Sequence, residues 1–113
     1  MIAVPDSPPW KQVAADRAER ARQQERAATC RRAASQTWAS LPQLAGPVSV
    51  VISYARHSGG CDSANIIGGI LDSLQGIAFK NDKQVTQIAY SERPSTTESY
   101  TVTIREGDAT ATA

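Results

Sequence analysis

Asp62, Asn65, Asp72 and Asp82 are the residues of this chain whose types and spacing could do chemistry. They fall in Cys61-Asp62-Ser63-Ala64-Asn65, in the apolar run Ile66-Ile67-Gly68-Gly69-Ile70-Leu71-Asp72-Ser73-Leu74, and in Lys80-Asn81-Asp82-Lys83-Gln84. One aspartate stands at the start of a predicted helix, a second on that helix, and a third in the loop before the next strand. Carboxylates gathered by a strand–helix–strand unit suit Mg²⁺ or Mn²⁺, hard cations that take oxygen ligands. Such a site fits metal-assisted phosphodiester cleavage. The Asn65 amide oxygen is a feasible further ligand. Asp72 follows Asp62 by ten residues, about 15 Å along an ideal helix. That distance argues against one shared ion and assigns Asp72 a supporting or helix-anchoring role.

Each of these residues also has a plainer reading. Asp62 is well placed to cap the helix, and Asp82 to sit in a turn. Lys80 and Lys83 flank Asp82; they either hold a phosphate and steady developing negative charge or form solvated loop charge. His57, beside Arg56 in a Ser/Gly loop, is a general acid, a phosphate donor or ordinary surface.

The elements that must position these groups can be read from periodicity. Ser7 before Pro8-Pro9 predicts a helix start after an irregular stretch over residues 1–8. Residues 9–40, rich in Ala, Arg, Gln and Glu, predict one long helix, with a possible break near Thr29. Trp10 and Trp38 are assigned to core packing. After a connector containing Pro42, Gly46 and Pro47, the β-branched run Val48–Tyr54 predicts a strand. Asp62 or Ser63 opens a helix to about Gln75, which Gly76 ends. Its buried face is Ile66, Ile67, Ile70, Leu71 and Leu74. Gly68 and Gly69, consecutive within that helix, point to close approach of a backbone or ligand, or to a locally weak helix. Val85–Tyr90 and Tyr100–Ile104 predict strands joined by a turn over residues 92–98 and paired antiparallel as a hairpin. The expected fold is α/β (α+β), a small mixed β-sheet with helices packed on it, in the order α–β–α–β–β. It forms a single domain over residues 9–106, its core over 48–104, followed by a disordered tail at 107–113.

Composition bounds the function only loosely. A chain of 113 residues makes one small domain, for which oligomerisation is a natural source of stability. Net charge is +1, but the span from Lys11 to Arg32 carries +4 and the remainder −3. Arg22 and Arg26 in that span either line a DNA channel or solubilise a helix. Cys30 and Cys61 lack zinc-ligand spacing and read as free thiols of a reducing cytoplasm. No signal peptide or membrane span is visible, so a cytoplasmic protein is expected.

The run from Val48 to Ile104 resembles the RusA family of Holliday junction resolvases. The resemblance rests on Asp62-Ser63-Ala64-Asn65, Leu71-Asp72-Ser73-Leu74, Gly76-Ile77-Ala78-Phe79 and Asn81-Asp82-Lys83-Gln84-Val85, in the family's order and spacing. It implies that Asp62 and Asp82 bind Mg²⁺ (or Mn²⁺), with Asn65 as a possible ligand. The family's middle aspartate falls on Ala64 and its helix lysine on Gly68, a role Lys83 or Lys80 is placed to take. DNA contacts are expected from Arg56, His57, Lys80, Lys83, Arg22 and Arg26. The implied activity is cleavage of four-way DNA junctions by a homodimer, in recombination and repair. The alternatives are an impaired relative that only binds branched DNA or a protein partner, and a metal-dependent nuclease without junction preference.

Overall fold

β-branched and aromatic side chains at every second position put Val48, Val50, Ile52 and Tyr54 on one face of a strand, and all four are buried. This strand, β2 (Val48–Arg56), is the middle of the molecule. A computed structural model describes residues 1–58 and 61–107. Around β2 the chain adds β1 (Ile2–Val4), α1 (Arg17–Thr37), α2 (Ser63–Leu74), a 3-10 turn (Asp82–Gln84), β3 (Val85–Pro94) and β4 (Ser99–Glu106). The mixed sheet runs β1-β4-β2-β3. β3 lies parallel to β2, while β4 lies antiparallel to both β2 and β1. The α+β class is as expected. The predicted Gly59-Gly60 loop and the predicted tail beyond Gly107 fall outside the described residues.

Three local expectations are corrected. The first is the hairpin: β3 and β4 are not neighbours, because β2 lies between them. A strand with so continuous an apolar face gains most from partners on both edges, and β2 takes the centre. The β3–β4 link crosses the end of β2, where the Ser95 N–H donates to the Arg56 carbonyl at 2.9 Å. The second is the start of the chain. Residues 1–8 were expected to be irregular, yet Ile2 and Val4 are buried and pair in register with Val102 and Tyr100. Three residues are too few for alternation to stand out, so tertiary pairing makes this strand.

The third correction is the helix predicted over 9–40. It begins at Arg17, where the Asp16 carboxylate accepts the Glu19 N–H at 2.8 Å. It ends at Thr37 and runs unbroken through Thr29, whose hydroxyl donates to the Glu25 carbonyl. Ser7 does not cap it; its hydroxyl donates to Glu98. Residues 9–15 form instead an extended strap, whose Lys11 N–H donates to the Asn65 carbonyl of α2 at 2.8 Å.

α2 forms as the periodicity requires. Asp62 caps it, and Gly76, at φ +87°, takes the chain out of it. Ile66, Ile70 and Leu74 are buried, worth about 1.5–3 kcal/mol each. Arg31 of α1 donates to the Ser73 carbonyl near the C-terminal end of α2. Trp10 and Trp38 pack against the core, as expected. The paired glycines are explained by the strap. A Cβ on Gly69 would lie 2.6 Å from the backbone of Pro9 and Trp10, whereas one on Gly68 would meet only the Lys11 side chain at 3.4 Å. Gly69→Ala should therefore lower stability by about 1–3 kcal/mol. Gly68→Ala should be neutral or stabilise by up to about 1 kcal/mol. Urea midpoints of the two variants check this; equal midpoints would contradict the close crossing.

Candidate functional site

The helix that carries the candidate ligands also separates them. Asp62 sits at the N-terminus of α2, one carboxylate oxygen accepting the Asn65 N–H at 2.9 Å. Asp82 sits beyond the other end, its N–H donating to the Gln75 side chain at 3.1 Å. Twelve residues of α2 lie between, a length of about 18 Å. The sheet agrees: β3 starts beside Val48 and ends beside Arg56, so Asp82 and Asp62 lie towards opposite ends of β2. Asp72 is on the exposed flank, ion-paired to Lys11 at 3.3 Å. Among the described residues, no three His, Cys, Asp or Glu side chains come close enough together to hold a metal ion. The residues of one chain thus do not fit the expected Mg²⁺ or Mn²⁺ site. Asp62 and Asn65 stand at one end; Asp82, Lys80 and Lys83 stand at the other.

The Asp82 end is held by short-range bonds. The Asn81 side chain accepts the Lys83 N–H at 2.9 Å, and the Gln84 side chain accepts the N–H groups of Lys80 and Asn81. The same Gln84 donates to the carbonyls of Leu44 and Gly46, tying the turn to the start of β2. Asp82 is exposed.

The basic residues divide in the same way. Arg22 and Arg26 from α1 and Arg56 from β2 converge on a cavity of about 380 Å³ that also has Trp10, Tyr54 and Cys61 in its wall. Arg56 lies 4.8 Å from the Tyr54 ring centre, donates to the Cys61 carbonyl at 3.0 Å, and forms an ion pair with Glu92 at 2.8 Å. Hydrogen bonding to Arg56 holds the Glu92 carboxyl below its ordinary value. Arg26 pairs with Asp6, while Arg22 is exposed and forms no ion pair among the described residues. The cleft opens beside Asp62, through Cys61. Lys80 and Lys83 do not line it.

His57 is exposed, and its placement comes from Glu98. The Glu98 carboxylate accepts the N–H groups of His57 and Ser58, at 2.5 and 2.8 Å, and the hydroxyls of Ser7 and Tyr54. One side chain thus ties the chain start, the end of β2 and the start of β4. Burial alone would raise the Glu98 pKa. The four bonds outweigh it and hold the carboxyl below its ordinary value. Burial, and then the bond to Glu98, push the Tyr54 phenol up.

Sequence reasoning missed Lys11, Glu98 and Tyr54. For Glu98 no local signal exists, since its partners come from two distant segments, the chain start and the end of β2. Lys11 was counted only as charge, although the Gly68-Gly69 pair had pointed to something crossing α2.

Fold and site together define a small α+β protein with an arginine-lined cleft at the head of a carboxylate-capped helix. A family model described as Endodeoxyribonuclease RusA matches residues 6–105. The chain belongs to that family. A search of curated proteins found no match. No helix among the described residues is long and apolar enough to cross a membrane.

A lowered carboxyl pKa contributes stability that is present above the ordinary Glu value of about 4.3 and lost as pH falls through the folded-state value. Glu98→Gln should therefore reduce stability at pH 7 and flatten its decline towards pH 3. Melting temperatures of both proteins across that range are the check; parallel curves would show that Glu98 carries no such linkage.

Proposed function

We propose that this chain is an endonuclease that cleaves four-way DNA junctions, acting as a homodimer. The observation that carries this reading is the family match, which spans both ends of α2 and the arginine cleft. RusA proteins are Holliday junction resolving endonucleases. Arg22, Arg26 and Arg56 supply phosphate contacts at the Asp62 end.

The separation of the carboxylates favours a two-chain site. Between the two ends of α2 runs a half-exposed stripe containing Ile67 and Leu71, with Ala64 exposed at its head. Two copies packed antiparallel along it, about a two-fold axis, bring Asp62 of one towards the Asp82 end of the other. Two-fold symmetry also matches a four-way junction, in which paired cuts fall on opposing strands. In such a pair, Asp62 and Asn65 from one chain with Asp82 from the other would hold Mg²⁺ or Mn²⁺. Such an ion, when bound, supplies water activation and charge neutralisation at the phosphate. Lys80 and Lys83 come with Asp82 and offer donors to a phosphate oxygen. Asp62 keeps its second carboxylate oxygen outside the cap bond. Ala64 lowers the number of carboxylates, and a site with two acids depends on retained waters.

The second reading, a protein that binds branched DNA without cutting it, is favoured by that alanine and by Gly68, which brings no side chain of its own to the helix face beside Asn65.

A mixing experiment tests the two-chain site. Asp62→Asn and Asp82→Asn should each abolish nicking of a labelled four-way junction in Mg²⁺ or Mn²⁺. Mixed after subunit exchange, they should regain roughly a quarter of wild-type nicking, as single nicks, because each mixed dimer keeps one intact site. No recovery would show that the carboxylates act within one chain. Junction binding without cleavage by wild-type protein would establish the second reading.

A further inference from the structure

We propose that Lys11, carried by the strap rather than by α2, is the ammonium that contacts the DNA phosphate at the Asp62 and Asn65 face of the helix. The inference rests on the nuclease reading above. Lys83 was the residue expected to supply this charge; within its own chain it stands at the opposite end of α2 and reaches this face only from a second copy. The strap brings another. The Lys11 N–H donates to the Asn65 carbonyl, which places its Cα against the first turns of the helix. Its stem then lies across Gly68, where Cβ and Cδ occupy the space that a side chain at 68 would enter. The ammonium reaches the Asp72 carboxylate at 3.3 Å.

This arrangement makes little sense as a stabilising device. The Lys11 side chain is 67 % exposed and that of Asp72 49 %, and pairs so exposed add little to stability. What the geometry does provide is an amine on a flexible stem, pivoting over Gly68. Asp72 lies four residues beyond that pivot and Asn65 three residues before it, about 6 Å and about 4.5 Å along the helix axis. The same stem that reaches Asp72 therefore reaches the Asn65 turn by rotating about its own bonds. Gln12, the next strap residue, already makes that reach, accepting from the Asn65 side chain at 3.3 Å. A phosphate arriving at the Asp62 end draws the ammonium off Asp72, an exchange of one anionic partner for another.

The test compares wild type, Lys11→Ala and the double variant Lys11→Ala/Gly68→Lys on a labelled four-way junction, reading nicking and binding separately. Removing the amine should cut nicking on the order of 100-fold, while binding falls far less. The double variant returns an amine to the same place from the helix, in the space that the truncated stem vacates, and should regain most of the nicking. Nicking by Lys11→Ala at the wild-type rate overturns the assignment. So does failure of the double variant to recover, since that loss would come from strap packing. If wild-type protein binds junctions without nicking them, the nuclease reading fails instead. Lys11 is then read from the salt dependence of binding, whose logarithmic slope should fall by about one in Lys11→Ala; an unchanged slope overturns it.

Discussion

The crossing of the Pro9–Trp10 backbone over Gly69 of α2 is the contact from which the rest of the molecule follows. Backbone and helix approach so closely there that no side chain at position 69 would fit. The crossing carries the strap along α2 and puts the Lys11 N–H on Asn65. It delays the start of α1 until Asp16 can cap it. It also sets Trp10 between the two helices, as part of the wall of the arginine cleft. A small domain has little core to spend on such a path, and it is one of the few devices that hold an extended segment against a helix without a strand pairing.

A second tie acts at the other side of the cleft. β2 occupies the centre of the sheet, so the link from β3 to β4 must pass over its end. Glu98 at the close of that link gathers Ser7, Tyr54, His57 and Ser58 into one hydrogen-bonded group. His57 and Ser58, where β2 ends, are thereby held in place. Two distant segments thus brace the neighbourhood of the cleft, the strap on α2 and the β3–β4 link on the end of β2. Neither is a regular element.

The site itself shows a consequence of helix length. Three turns of α2 are needed to bury Ile66, Ile70 and Leu74, and those same turns push Asp62 and Asp82 apart. Core packing and a one-chain metal site make opposite demands on α2, and packing prevails in the folded monomer. In the proposed pair a second copy would reconcile them, because antiparallel helices interchange their ends. The chemistry of that proposed pair would depend on association.

How much of this was legible depended on the range of the physics involved. α2, its Asp62 cap, its Gly76 exit and most of its buried face follow from 3.6-residue spacing and local capping. β2 follows from its β-branched run, and the RusA resemblance from short motifs in order. These are local properties, encoded within a dozen residues of one another. The extra strand at Ile2–Val4, the strap, the place of β2 between β3 and β4, and the reach of Glu98 were not legible, since each rests on partners tens of residues away. The separation of the candidate acids within one chain was not legible for the same reason. Asp62 and Asp82 are near in motif order, but α2 is a rigid rod between them. The residue types and their order along the chain belong to the sequence alone. Only the tertiary structure decided which of them share a place, because distance in a fold is set by rods and crossings rather than by spacing along the chain.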